Sequence, residues 1–195
     1  MGDIHFGAVG QINLNSIFSN FIINLIQSND INSVIETGTW NGCGSTRCLY
    51  EGLKTKSNPK LISFETDYVR YLEAKQLYSP VSWIEIINGS IIKSEEFISE
   101  NLDITHKSWL DEDIYRYQNA SFIDLADQKF DLAFLDSSEF GGFAEFLKIK
   151  DRCKYLVIDD TNILKHRQTR EYCINNYTCL ADDLNDRNGW AVFKL

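Results

Sequence analysis

The stretch that most constrains the fold is Val34-Ile35-Glu36-Thr37-Gly38-Thr39-Trp40-Asn41-Gly42-Cys43-Gly44-Ser45. Two apolar residues run into an acid, glycines follow at 38, 42 and 44, and Ser45-Thr46 opens a helical pattern. That order describes a buried strand turning tightly into a helix. Glycine supplies the backbone freedom the turn needs, and the helix presents free N–H groups and its positive end to any ligand lying over it.

The rest of the chain repeats the strand-then-helix alternation. Residues 1–12 read as an extended arm, with His5 and Phe6 placed to fold over a ligand, and 1–30 together make an N-terminal arm and helix. In that helix Ile17, Phe18, Phe21, Ile22, Leu25 and Ile26 share one face. After the glycine turn come a helix from Ser45 to Leu53, a strand Leu61–Glu65, and a helix from Tyr68 to Tyr78 ended by Pro80. A strand from Trp83 closes at Asn88-Gly89-Ser90, and a helix is predicted from Ile91 to Leu102. Residues 103–121, polar and aromatic, suit an insertion over the sheet's edge; a substrate lid and a solvated surface helix are both open readings. Strands follow at Phe130–Asp136 and Tyr155–Asp160 with a helix Phe143–Ile149 between them. The tail gives a helix Lys165–Asn175, a strand Tyr177–Leu180 and a last strand Trp190–Lys194, the last two forming a hairpin. This order predicts an α/β fold over one domain, residues 1–195: a doubly wound, mostly parallel seven-stranded sheet with an antiparallel last strand and helices on both faces.

Charge narrows the partners. With 28 acids against 19 bases, the net charge of −9 argues against a sequence-independent grip on nucleic acid or on an anionic membrane. No segment has the unbroken apolar length of a membrane span. A small neutral or cationic molecule is the expected partner, and a homodimer is compatible with the chain. Five cysteines without CxxC spacing or a secretory signal imply reduced thiols and a cytoplasmic location.

In an open α/β sheet the ligand lies beyond the carboxyl ends of the strands. Four of the five first strand ends carry acids here: Glu36, Glu65, Asp136 and Asp159-Asp160, with Gly89-Ser90 at the fifth. Glu65 follows Gly44 by 21 residues, the spacing at which an acid on the second strand reaches a ribose, whose two hydroxyls a carboxylate accepts together. A surface acid beginning the next helix is the competing reading. Asp136 and the Asp159-Asp160 pair stand on adjacent strand ends, where three carboxylates suit one hard divalent cation, with Asn162 a spare oxygen ligand. Helix capping by the same acids is the alternative.

The glycine pattern separates two cofactors. A dinucleotide site uses G-x-G-x-x-G; here the order is acid-x-Gly-x-x-x-Gly-x-Gly. That pattern resembles motif I of the class I S-adenosylmethionine-dependent methyltransferases. With Glu65, Ser90 and the antiparallel last strand, the resemblance spans about residues 31–195. It implies a Rossmann-like fold that binds S-adenosylmethionine. Glu36, Gly38, Thr39, Trp40 and Gly42 would surround the cofactor's methionine part, Glu65 its ribose, and Gly89-Ser90 its adenine. The family often has an acid where this chain has Ser90, and Asn88 is a substitute. A net-acidic pocket agrees with a cofactor that carries an ammonium and a sulfonium.

Asp136 with Asp159-Asp160 further resembles the metal-dependent O-methyltransferases of the catechol and macrocin type. In those, matching acids hold Mg²⁺ or Mn²⁺. The resemblance implies methyl transfer to an oxygen of a small hydroxylated metabolite or sugar, with Asp136, Asp159 and Asp160 on the metal, Asp136 also beside the cofactor, and Asp136 and His166 as catalytic residues. Two other readings stay open: an S-adenosylmethionine-binding regulatory protein without turnover, and a nicotinamide-dependent oxidoreductase, which the glycine spacing disfavours.

Overall fold

A computed structural model describes residues 12–98 and 103–195 of the chain. Its strands are β1 (Ser33–Thr37), β2 (Lys60–Glu65), β3 (Ile84–Ser90), β4 (Ser121–Phe122), β5 (Leu132–Leu135), β6 (Tyr155–Asp159), β7 (Thr178–Asp183) and β8 (Trp190–Lys194). The helices are α1 (Ile17–Ser28), α2 (Ser45–Leu53), α3 (Tyr68–Tyr78), α4 (Ile104–Asn119), α5 (Gly142–Ile149) and α6 (Arg167–Asn176). Among the described residues the strands make one sheet in the order β4-β3-β2-β1-β5-β6-β8-β7. Only β8 runs against the others, pairing antiparallel with both β6 and β7.

Successive side chains on a strand face opposite sides, and the apolar residues of the central strands divide accordingly. Val34, Leu132, Phe134 and Val157 pack under Phe18, Ile22 and Ile26 of α1 and Leu49 and Leu53 of α2. Ile35, Ala133, Leu135, Leu156 and Ile158 pack on the opposite face with Phe146 and Ile149 of α5 and Cys173 of α6. Strands buried on both faces read as continuous apolar runs, which is why they are conspicuous in the sequence. All five cysteines are free thiols. Burial pushes Cys48, Cys153 and Cys173 up to about 12, so they serve as packing. No helix among the described residues is long and apolar enough to cross a membrane.

Three expectations need correction. The sheet has eight strands rather than seven, because Ser121–Phe122 adds a two-residue edge strand. It pairs Gly89 with Ser121, where any Cβ on Gly89 would lie 2.7 Å from the Ser121 carbonyl oxygen. The helix predicted from Ile91 to Leu102 is not formed over its described part. Only a short 3-10 turn, Ser94–Glu96, is present, with the Lys93 N–H donating to Glu96 Oε1; residues 99–102 lie outside the described residues. Residues 103–121 are not an insertion over the edge: they form α4, a largely exposed surface helix as one of the two open readings had it, and β4, together the parallel crossover from β3. Of the N-terminal arm, His5 and Phe6 lie outside the described residues.

Candidate functional site

The sheet reverses its winding between β1 and β5, and a cavity of about 560 Å³ opens there at the carboxyl ends of the strands. The period of two on β1 decides what reaches it. Glu36 shares the Val34 face and points beneath α2, wholly buried, where its Oε2 accepts from Thr46 Oγ1 (2.8 Å) and Ser63 Oγ (2.5 Å). Burial pushes its carboxyl up to about 7. Glu36 therefore ties the turn to α2 and β2 and does not line the cavity, contrary to its expected place beside the cofactor. Thr37 shares the other face and donates to Glu145 Oε2 of α5 (2.7 Å).

The turn itself is tightly enforced. Gly38 has φ +88°, and a Cβ there would lie 2.2 Å from the Asp136 carbonyl oxygen, so the ends of β1 and β5 meet only because this residue has no side chain. Gly42, at φ +79°, backs onto the Tyr78 ring, whose hydroxyl donates to the Gly42 carbonyl (2.6 Å). It supports the turn from behind and is absent from the cavity lining. Thr39 Oγ1 is 2.5 Å from Ser63 Oγ. Trp40 sits at φ 49°, a region sparsely used by residues with a side chain; the Arg70 guanidinium lies 5.0 Å over its ring.

Glu65 spans the two sides of this turn. Its Oε2 accepts from the Trp40 main-chain N–H (2.6 Å) and its Oε1 from that of Asp67 (2.8 Å). Loss of water pushes its carboxyl up to about 7 against these bonds. It is Asp67, not Glu65, that caps α3, accepting from the Val69 and Arg70 N–H groups. Gly89 and Ser90 also line the cavity. The Ser90 hydroxyl accepts from the Ile92 N–H (3.1 Å), while Asn88 donates to the Glu65 carbonyl (2.9 Å) and so braces the loop rather than facing a ligand.

Residues that the sequence reading did not single out for the cavity complete it. Glu145, buried on α5, also accepts from Ser137 Oγ (2.6 Å) and Tyr117 Oη (3.4 Å), and burial pushes it up to about 7. Asp113, Arg116 and Tyr117 bring α4 to the wall, where Ser138 Oγ donates to Asp113 Oδ2 (2.7 Å). Among the described residues the lining holds seven acids (Glu65, Asp67, Asp113, Asp136, Glu145, Asp159, Asp160) against three bases (Arg70, Arg116, Lys165). That balance suits a cationic ligand bearing a diol and opposes a pyrophosphate.

Asp136, Asp159 and Asp160 do converge, with an oxygen of each within 4.8 Å of the others. Neither acid group caps a helix: α5 and α6 begin at Gly142 and Arg167, with Gly141 and His166 at their N-caps. Two cations meet the carboxylates instead. Lys165 Nζ lies 2.8 Å from Asp136 Oδ1 and 2.7 Å from Asp160 Oδ2. Arg187 grips Asp159 with both terminal nitrogens, at 2.9 and 2.7 Å, and Asn188 donates to Asp160 Oδ1 (3.1 Å). Asp160 takes φ +55° to reach these partners. Burial pushes Asp136 up to about 7 in opposition to Lys165, and burial likewise raises Asp159. Asp160 goes the other way: burial works to raise it, but Lys165 and Asn188 together hold it below the usual range. Of the carboxylate oxygens in this group, only Asp136 Oδ2 lacks a partner among the described residues. As arranged, the set does not fit a divalent cation, which needs several free oxygens and no ammonium among them.

His166 is not a catalytic base here. It is fully buried at the start of α6, its Nδ1 is 3.4 Å from Thr169 Oγ1, and its ring fills the space left by Gly142. Burial pulls its imidazole down to about 3, and it is absent from the cavity lining. Lys165 and Arg187 escape a search for ligand motifs because each is a lone base, one on a loop and one in a hairpin turn. The signal for them was electrostatic: three converging acids must find cations.

No protein-family model matches the sequence, and no curated protein matches it significantly. Solved structures do share its fold. A Staphylococcus aureus protein with a proposed caffeoyl-CoA O-methyltransferase assignment is similar with a TM-score of 0.63 and 17% identity, over 94% of this chain and 85% of that one. An O-methyltransferase from Bacillus cereus in complex with S-adenosylhomocysteine (SAH) is similar with a TM-score of 0.59 and 15% identity, over 94% and 83%. The SAH-bound Podospora anserina methyltransferase has a TM-score of 0.59 and 13% identity, over 91% and 77%. The chain therefore has the Rossmann-like α/β fold of these proteins.

Proposed function

We propose that this chain is an S-adenosylmethionine-dependent methyltransferase that acts on an oxygen of a small molecule. The observation that carries the reading is Glu65. It is a cavity-facing carboxylate at the end of β2, held by the Trp40 N–H of the glycine turn, in a fold shared with SAH-bound methyltransferases. The excess of acids around the cavity favours a cofactor with an ammonium and a sulfonium over a nicotinamide dinucleotide.

Held by Glu65, Gly89 and Ser90, the cofactor would supply an electrophilic methyl group on a cationic sulfur, and the acceptor hydroxyl's proton would pass to solvent. The chain's own residues supply placement. Glu65 would fix the ribose, Gly89 and Ser90 the adenine edge, and the close approach of Gly38 to Asp136 sets the depth of the cavity. Asp113, Arg116 and Tyr117 of α4 would wall the cavity on one side. Catalysis on this plan is mostly proximity and alignment. The Mg²⁺- or Mn²⁺-assisted version that the acid triad first suggests would need Lys165 to leave Asp136 and Asp160, whose oxygens would otherwise hold the ion.

Calorimetric titration with SAH and with NAD⁺ tests the reading, followed by transfer of labelled methyl to a panel of phenols, sugars and carboxylic acids. SAH binding with methyl transfer to an oxygen is expected. NAD⁺ binding in its place overturns the reading, and SAH binding without any transfer moves the chain to a regulatory, cofactor-binding role.

A further inference from the structure

The acid triad is built to hold positive charge, and the chain provides that charge itself. Resting on the methyltransferase reading above, we propose that Lys165 stands in for a divalent cation: its ammonium occupies the acid triad, and its remaining N–H binds the acceptor oxygen.

Three observations support this. Lys165 is nearly enclosed, with 11% of its side chain exposed, yet it lines the cavity. An ammonium has three donors, of which two are used by Asp136 and Asp160 at 2.8 and 2.7 Å, leaving one for an acceptor. The third acid, Asp159, is independently satisfied by Arg187 through two bonds, so two cations offset most of the charge of three carboxylates. A buried charge is tolerated only when paired this fully, and the pairing leaves no vacancy for a dication.

The substitution has a chemical consequence. A single positive charge stabilises an oxyanion less than a divalent ion does, so the acceptor must bring an acidic hydroxyl. Phenols and enols meet that condition, and sugar hydroxyls do not. Such an acceptor binds as its oxyanion, having released its proton to solvent. Lys165 holds the negative oxygen until the O–CH₃ bond forms and the pair from the broken S–CH₃ bond stays on sulfur.

Manganese titration followed by electron paramagnetic resonance tests the claim on the purified full chain without relying on turnover. Wild-type protein should leave the free Mn²⁺ signal unchanged up to about 1 mM. Lys165→Ala, with its ammonium removed, should bind one Mn²⁺ per chain, and Lys165→Arg, which keeps the charge, should not. Binding of one Mn²⁺ by the wild type overturns the proposal, as does failure of a folded Lys165→Ala, checked by circular dichroism, to gain a site. If Lys165→Ala does not fold, the wild-type and Lys165→Arg titrations still decide it. Activity gives a second readout: wild-type transfer to a phenol should persist in EDTA, while Lys165→Ala should lose about 100-fold in kcat with SAH affinity nearly unchanged. Loss of wild-type activity in EDTA would also overturn the proposal. SAH failing to bind the wild type would instead remove the methyltransferase reading, leaving the manganese result to stand separately.

Discussion

The main-chain N–H of Trp40 donates to Oε2 of Glu65 at 2.6 Å, joining the glycine turn after β1 to the acid that ends β2. One carboxylate thus both holds the strained Trp40 backbone and faces the cavity. Hydrogen bonds to a charged group contribute about 1.5–3 kcal/mol, so Glu65→Ala should weaken SAH binding by roughly 10- to 100-fold through lost ribose contacts. Because the Glu65 carboxyl is pushed up to about 7, the wild-type affinity should rise between pH 6 and pH 8 as the carboxylate forms. Isothermal titration at both pH values checks this; a Glu65→Gln variant should lack the pH dependence, and equal slopes for the two proteins would refute it.

The legibility of this site differed from residue to residue, for physical reasons. Val34, Ile35, Leu132–Leu135 and Tyr155–Asp159 were conspicuous because strands covered on both faces must be apolar throughout. Glu65 and Gly38 were legible because a turn of this kind restricts both residue type and spacing. Glu36 was misplaced by the same pattern: period-two alternation sends it under α2, a step the motif does not encode. The two-residue strand Ser121–Phe122 has no periodicity to detect. Lys165 and Arg187 were hidden because an ion pair between residues 29 apart (Lys165 and Asp136) or 28 apart (Arg187 and Asp159) has no sequence signature, only a charge imbalance to be resolved.

Glu36 and Glu145 make folding stability depend on pH. Both are buried, and both are pushed up from 4.5 to about 7. The folded chain keeps these protons where the unfolded chain has lost them. Their contribution is therefore complete below pH 4.5 and is lost as pH rises through about 7. Asp131, held down to about 2 with help from Lys154, has the opposite sign: its contribution is complete above its ordinary value of 3.8 and is lost as pH falls through about 2. Melting temperature should accordingly fall from pH 5.5 to pH 8. Glu36→Gln should remove roughly 2 kcal/mol of that decline. Calorimetry across this range checks the slope, and a melting temperature that climbs toward pH 8 would contradict the assignment.

The α4 helix buries only Tyr117 fully, with Leu110 and Ile114 partly buried against the core, and polar contacts add to its attachment. Ser138 Oγ donates to Asp113 Oδ2 at 2.7 Å, and Arg116 reaches Asp113 and Asp67 at 3.3 and 3.5 Å. Ser138→Ala leaves the half-buried Asp113 short of one donor, at a cost of about 1 kcal/mol. Amide exchange across Ile104–Asn119 should quicken about fivefold, with the central strands unchanged, and KM for the acceptor should rise more than kcat falls. Unaltered exchange in α4 would show that this bond does not hold the cover in place.

Gly38 is the residue for which the turn has least tolerance. At φ +88° an alanine is strained by its own backbone, and its Cβ would lie 2.2 Å from the Asp136 carbonyl oxygen and 2.9 Å from the Ser137 Cα. These are main-chain atoms at the end of β5, so neither can rotate aside. Relief requires β1 and β5 to separate at the Thr37–Leu135 pair, where the cavity floor is formed. Overpacking with strain of this kind costs about 2–4 kcal/mol, so Gly38→Ala should lower the unfolding free energy from urea titration by that amount. The same separation moves Asp136 relative to Lys165, so SAH affinity and the Lys165–Asp136 pairing should fail together. Gly44→Ala is the control: it lies in the same turn, and its Cβ would meet nothing closer than 3.9 Å. Equal destabilisation of the two variants would show that the turn, rather than the contact between Gly38 and Asp136, sets the cost.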